Sequence, residues 1–158
     1  MNKIILVGRA ASGKDHLRQK LESKNWKFGI PFTTRPIRNG EIDGVDYYFI
    51  SISLFKEMIN KKEFVEYCVF NNWYYGTSNQ TWNNSNLFIM TVAGLKQLKK
   101  HTDLSNSFII YLNIDENISY NRLLERNDAD SAKRRFLSDQ KDFKKFNTYD
   151  ISISNANF

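Results

Sequence analysis

The sequence predicts a single α/β layered domain built on a central, mainly parallel β-sheet flanked by helices. Three observations carry this expectation. A short apolar run near the N-terminus leads into a glycine-containing loop and then a helix-like stretch. Strand-like and helix-like segments alternate through the second half of the chain. Two of those strand-like runs are apolar throughout, as strands buried on both faces are.

Taken in order, residues 3–7 read as a buried strand and residues 8–13 as a loop. A helix follows over 14–24, with Leu17 and Leu21 on one face. The next region is rich in strand signals, at 28–32, 47–50, 63–70 and 73–77. A helix interrupts them, with Ser53 as its cap and Phe55, Met58 and Ile59 on its apolar side. Residues 87–91 and 107–114 are the two continuous apolar strands, and helices over 92–101 and 116–126 follow them. A third helix spans 132–146, and a last short strand 151–153. Ligands of such sheets gather at the carboxyl ends of the strands, and the loop at 8–15 falls at such an end.

Composition narrows the class of function. With 158 residues, 41% hydrophobic and 25% charged, the chain suits one globular domain with a real core. Cys68 is the only cysteine, so no intrachain disulfide is available and a reducing compartment is expected. The apolar run near the N-terminus is four residues long, too short for a secretory signal or a membrane span, which points to the cytoplasm. A net charge of +6 suits an anionic partner, either nucleic acid or a polyphosphate ligand. The basic residues are dispersed, with no run of five, so nothing singles out nucleic acid.

The stretch Gly8-Arg9-Ala10-Ala11-Ser12-Gly13-Lys14-Asp15 fits G-x-x-x-x-G-K, with Asp where Ser or Thr is usual. The two glycines let successive backbone N–H groups point at phosphate oxygens, and the helix that follows presents its positive end. Lys14 adds a mobile charge for the β- and γ-phosphates of a nucleotide. Asp15 is a candidate ligand for Mg²⁺, directly or through water.

A second constellation lies in Thr33-Thr34-Arg35-Pro36-Ile37-Arg38-Asn39-Gly40-Glu41-Ile42-Asp43-Gly44-Val45-Asp46-Tyr47-Tyr48-Phe49. Arg35 and Arg38 beside a turn make a fork for an anionic group, and Tyr47 offers a phenolic hydrogen bond. Further on, Phe64-Val65-Glu66-Tyr67 and Trp73-Tyr74-Tyr75-Gly76-Thr77-Ser78 supply a carboxylate, another phenol and a hydroxyl. Together they read as an anion site beside a site that can hydrogen-bond a heterocycle; the competing reading is a hairpin with surface Arg–Asp pairs.

The pattern T-T-R-P-x-R-x-G-E-x-D-G-x-D-Y-x-F, followed by F-V-E-Y and Y-Y-G-T-S, resembles the acceptor-binding signature of guanylate kinases. The resemblance covers at least residues 4–78 and continues more weakly through Arg122, Arg126 and Arg135 to Asn155. It implies a P-loop NTPase core at 1–29 and 84–158, a small β-rich acceptor-binding insert at 30–83, and a short lid at 127–131. It further implies transfer of a phosphoryl group from ATP, with Mg²⁺, to GMP or dGMP by a monomer or homodimer that binds neither nucleic acid nor membrane. Residue by residue, Arg35, Arg38, Tyr47 and Tyr75 would hold the acceptor phosphate. Glu66 and Thr77 would meet the base, with Glu66 accepting from guanine N1–H and the 2-amino group, and Gly76 would belong to the same GMP site. Residues 8–15, Arg122 and Asn155 would bind ATP, while Lys14, Arg126 and Arg135 act on the transferring phosphate.

Three departures accompany the resemblance. Pro31 stands where a serine is usual, Thr91 and Ala93 stand where an acidic D-x-D is usual, and no closing helix follows 151–153. Alternatives are a kinase of the same fold acting on another (deoxy)nucleotide or a ribose bisphosphate, and a catalytically inactive binding module. The remaining conspicuous residues read as scaffold. Trp26, Phe28, Phe143 and Phe146 suit the core, Cys68 packs in a strand, and Lys96, Lys99 and Lys100 form a solvated helix face. His16 and His101 have no metal-type spacing.

Overall fold

The computed structural model describes residues 2–126 and 131–158. Strand β1 (Lys3–Gly8) runs into the loop that precedes helix α1 (Lys14–Glu22). There follow β2 (Phe32–Thr33), β3 (Tyr48–Phe49), α2 (Ile52–Asn60), β4 (Phe64–Phe70), β5 (Trp73–Ser78) and α3 (Asn79–Asn84). The second half runs β6 (Leu87–Ile89), α4 (Val92–His101), β7 (Ser107–Leu112), α5 (Glu116–Leu124), α6 (Ala132–Phe143) and β8 (Ile151–Ile153).

These strands make two sheets. One, ordered β6-β1-β7-β8, is parallel throughout. The other, ordered β3-β2-β5-β4, is mixed, with β2 parallel to β3 and antiparallel to β5. In β1 alternate side chains serve opposite faces of the first sheet, as the strand period requires. Ile5 and Val7 pack in one core cluster with Phe88, Leu95, Leu98 and Tyr111. Ile4 and Leu6 pack in the other with Leu87, Leu112 and Ile114. A strand covered on both faces has no polar side, which explains its unbroken apolar run. Among the described residues no helix is long and apolar enough to cross a membrane.

Several boundaries differ from the sequence expectation. Ser51, not Ser53, caps α2, because its hydroxyl accepts from the Leu54 N–H while Ser53 lies within the first turn. Thr91 belongs to no strand; it caps α4 by accepting from the Gly94 N–H. The strand expected at 28–32 reduces to a bridge between Phe28 and Leu87 plus the start of β2. Helices α5 and α6 end at Leu124 and Phe143, leaving Arg126 and Phe146 beyond them. No helix was expected at α3, whose one buried side chain is Trp82.

Candidate active site

The loop after β1 sits where the strand hands the chain to α1. Gly13 caps that helix with φ of 96°, a left-handed conformation that a residue with a Cβ adopts only under strain. Residues 10–15 line a groove of about 850 Å³ together with Arg122, Arg126 and Arg135. Lys14 Nζ folds back onto the loop, donating to the carbonyls of Gly8 at 2.8 Å and Arg9 at 2.7 Å. Burial pulls its pKa down to about 8, against the opposing pull of Asp139 and Asp15, so the ammonium remains charged at neutral pH. The Ala10 N–H donates to Asp139 Oδ2 at 2.8 Å. Arg122 ties α5 to this loop by donating to the Ala11 carbonyl at 3.3 Å. The Asp15 side chain is 72% exposed and lies 3.8 Å from Arg18 Nε.

Facing the loop is an arginine-rich corner of the second sheet. Arg35 is buried and forked onto Glu41, with Nη1–Oε2 at 3.0 Å and Nη2–Oε1 at 2.7 Å. The same carboxylate accepts from the Arg38 N–H at 2.8 Å, so Glu41 sets the positions of both arginines. Tyr47 and Tyr75 meet edge to face with ring centroids 6.2 Å apart. Burial pushes both phenols above their usual range, so each stays a protonated donor. Arg18, buried in α1, donates to Asp46 Oδ1 at 3.2 Å and thereby joins α1 to the loop that carries Tyr47.

Deeper in lies Glu66. An irregularity in the pairing of β4 with β5 falls between Phe64 and Glu66, and such bulges redirect side chains. Thr77, directly opposite on β5, donates its hydroxyl to Glu66 Oε1 at 2.6 Å. The other carboxylate oxygen lies so close to α4 that a Cβ on Gly94 would stand 2.5 Å from it. Burial raises the Glu66 pKa to about 7, with the Thr77 hydroxyl pulling the other way. Beside it, Cys68 Sγ lies 3.3 Å from Thr91 Oγ1, and burial pushes the thiol up to about 11, so it is neutral.

These groups open onto one cavity of about 160 Å³. The loop contributes Gly8, Ala10 and Lys14; the second sheet and its loops contribute Arg35, Arg38, Tyr47, Glu66, Tyr75 and Gly76. Helix α6 contributes Arg135 and Asp139 among others, and Pro31, Met90 and Thr91 also line the wall. Not every expected residue converges there. Thr77 is sealed behind Glu66 at 1% exposure. The Arg9 guanidinium stacks 5.5 Å from the Phe143 ring. Asn155 is exposed and accepts from the Asn157 N–H at 2.9 Å. The lid expected at 127–131 lies outside the described residues except for Ser131, which caps α6. The sequence reading assigned no role to Glu41, Arg18, Asp46 or Asp139. For Glu41 and Asp46 the regular G-E-x-D-G-x-D spacing was the available signal; for Arg18 and Asp139 there was none.

A parallel sheet whose first strand feeds a glycine loop and helix, with a lysine at the helix start, defines a P-loop NTPase fold. A family model described as guanylate kinase matches residues 1–158. The chain is 32% identical to the guanylate kinase of Helicobacter pylori, over 98% of its own length and 79% of the relative's. It is 36% identical to that of Buchnera aphidicola, over 98% and 80%. The crystal structure of guanylate kinase from Anaplasma phagocytophilum superposes with a TM-score of 0.71 at 21% identity, covering 98% of this chain and 77% of that one. The chain belongs to the guanylate kinase family.

Proposed function

We propose that the protein transfers the γ-phosphoryl group of ATP to the phosphate of GMP or dGMP. The observation that supports this reading best is the single cavity shared by Lys14 and by Arg38, Tyr47, Tyr75 and Glu66. In this reading residues 30–83 form the acceptor-binding insert, and the rest of the chain is the ATP-binding core. The loop amides, Lys14 and Arg122 hold the donor phosphates; Arg35, Arg38, Tyr47 and Tyr75 hold the acceptor phosphate. Glu66, when ionised, accepts from the two adjacent donors on the guanine edge, and Thr77 acts by positioning it. The reaction takes place in the cytoplasm, where a free thiol such as Cys68 persists.

An oxygen of the acceptor phosphate attacks the γ-phosphorus, the bond to the β–γ bridging oxygen breaks, and ADP leaves. No protein base is needed, because the nucleophile is already an anion. The protein supplies alignment and positive charge. Arg135 meets the transferring group in this reading, which its lining of both the donor groove and the shared cavity supports. Asp15, an exposed carboxylate next to Lys14, fits as one ligand of a Mg²⁺ otherwise held by phosphates and water, where it would offset phosphate charge.

ADP release from ATP, measured with each nucleoside monophosphate in turn, tests the reading. Turnover confined to GMP and dGMP is expected. Turnover with AMP, CMP or UMP at comparable efficiency would discard the guanine assignment, and no turnover with any acceptor would discard the activity.

A further inference from the structure

The phosphate loop already holds an anion, and that anion belongs to the protein. Asp139 Oδ2 accepts from the Ala10 N–H at 2.8 Å, in a loop whose inward amides are built to donate to phosphate oxygens. Lys14 lies within the field of the same carboxylate, as do Arg9 and Arg135. Asp139 and Arg135 are four residues apart on α6, so they share one face of that helix. Both line the shared cavity. The Asp139 carboxyl is largely shielded from water, yet it is placed among cations and an amide donor.

We propose that Asp139 is a resident phosphate mimic: its carboxylate keeps the Ala10 amide, Lys14 and Arg135 organised until the donor nucleotide arrives, and then gives up its place to a donor phosphate oxygen. This rests on the reading of ATP as donor. A carboxylate and a phosphate oxygen brought to the same N–H would lie close enough to repel strongly as like charges. Binding of ATP therefore moves the Asp139 carboxylate aside, and Arg135, which lies in its field, loses that attraction in the same step. Donor occupancy is thus coupled to the placement of the arginine that meets the transferring group. Asp139 is a positioning residue, acting through Arg135 and the loop rather than on the reacting atoms.

The groups facing Asp139 set the expected signs. The cations Lys14, Arg135 and Arg9 favour its ionised form, whereas burial raises its pKa. Replacing it with asparagine keeps an oxygen that can accept the Ala10 N–H but removes the competing charge.

The test is calorimetric titration of a non-hydrolysable ATP analogue with Mg²⁺ into the wild type, Asp139→Asn and Asp139→Ala, with GMP titrated separately. Both variants should bind the analogue more tightly, by about tenfold, as expected when one like charge leaves a partly screened anion site. GMP affinity should change far less, by about twofold at most, since Asp139 bonds the Ala10 amide of the donor loop rather than the acceptor's arginines and phenols, and a general loosening would weaken both ligands alike. In the wild type, the analogue should also shift the Asp139 carboxyl ¹³C resonance and the Ala10 amide together, a readout independent of any variant. Unchanged or weaker analogue binding in both variants, or an Asp139 carboxyl resonance that ignores the analogue, overturns the proposal while leaving the ATP reading intact. No analogue binding by the wild type overturns both.

Discussion

In the proposed reading, Glu66 concentrates the chemistry of recognition in one side chain. Its pKa of about 7 follows from burial, and the Thr77 hydroxyl compensates only in part. Only the ionised form offers two acceptors, so kcat/KM for GMP should rise with pH through a limb near 7. The Glu66→Gln variant should lose that limb while keeping the one due to the substrate's own phosphate, which ionises near pH 6. The same shift has a stability consequence of defined sign. The unfolded carboxyl ionises near its ordinary 4.5 while the folded one resists until about 7. The native state therefore holds the extra proton, and stability falls as pH rises between those values, by about 3 kcal/mol. Urea unfolding of the wild type and Glu66→Gln across that window measures the difference; equal slopes would contradict it. At the other edge, the proposed role of Lys14 in donor binding needs its charged form, so kcat/KM for ATP should decline above about pH 8.

The interactions behind these residues carry their own expectation. Thr77→Val removes the hydroxyl that donates to Glu66 at 2.6 Å and leaves the rest of β5 in place. The KM for GMP should rise about tenfold, a loss of about 1.4 kcal/mol, with kcat little changed. Steady-state kinetics with ATP held saturating separates the two. Very little of this was legible in the sequence. Arg35, Arg38, Tyr47 and Glu66 stand in recognisable local spacing, but that Thr77 serves Glu66 depends on a cross-strand register. That Glu41 clamps both arginines depends on a loop closing through Gly40 at φ of 86°.

Among the elements, legibility tracked length and packing. Helix α4 and strand β8 were read with the bounds they adopt, α4 because its apolar positions follow one face and end in Lys99, Lys100 and His101. Strands β2 and β3, two residues each, are too short to show a period; they are held by neighbouring strands rather than by their own pattern. Helix α3, with the sequence NQTWNN, has no apolar stripe at all; the Ser78 cap and the burial of Trp82 create it. Such packing is also where stability is concentrated. Phe88 of β6 is 1% exposed and packs at a tilt against Trp82, with ring centroids 4.6 Å apart. Phe88→Ala should cost about 3–5 kcal/mol in a denaturant melt, as a cavity at the junction of β6 and α3. A cost below about 1 kcal/mol would mean that this cluster is not the core it resembles.

For the whole molecule, the organising fact is that two sheets of different character face one cavity. The parallel sheet presents the phosphate loop, and the mixed sheet presents the arginines, phenols and Glu66. Arg18, rooted in α1 and paired with Asp46, joins the two without touching the cavity wall described around Glu66. The proposed transfer requires donor and acceptor to meet there within reach of one another. The most direct measurement is the affinity of a bisubstrate compound, adenosine and guanosine joined by a five-phosphate chain, compared with ATP and GMP separately. If both half-sites open onto one cavity, linkage makes the second contact intramolecular, and the compound should bind at least about 100-fold more tightly than either nucleotide while excluding both. Affinity no better than that of ATP alone, or displacement of only one nucleotide, would contradict the shared cavity and with it the proposed transfer.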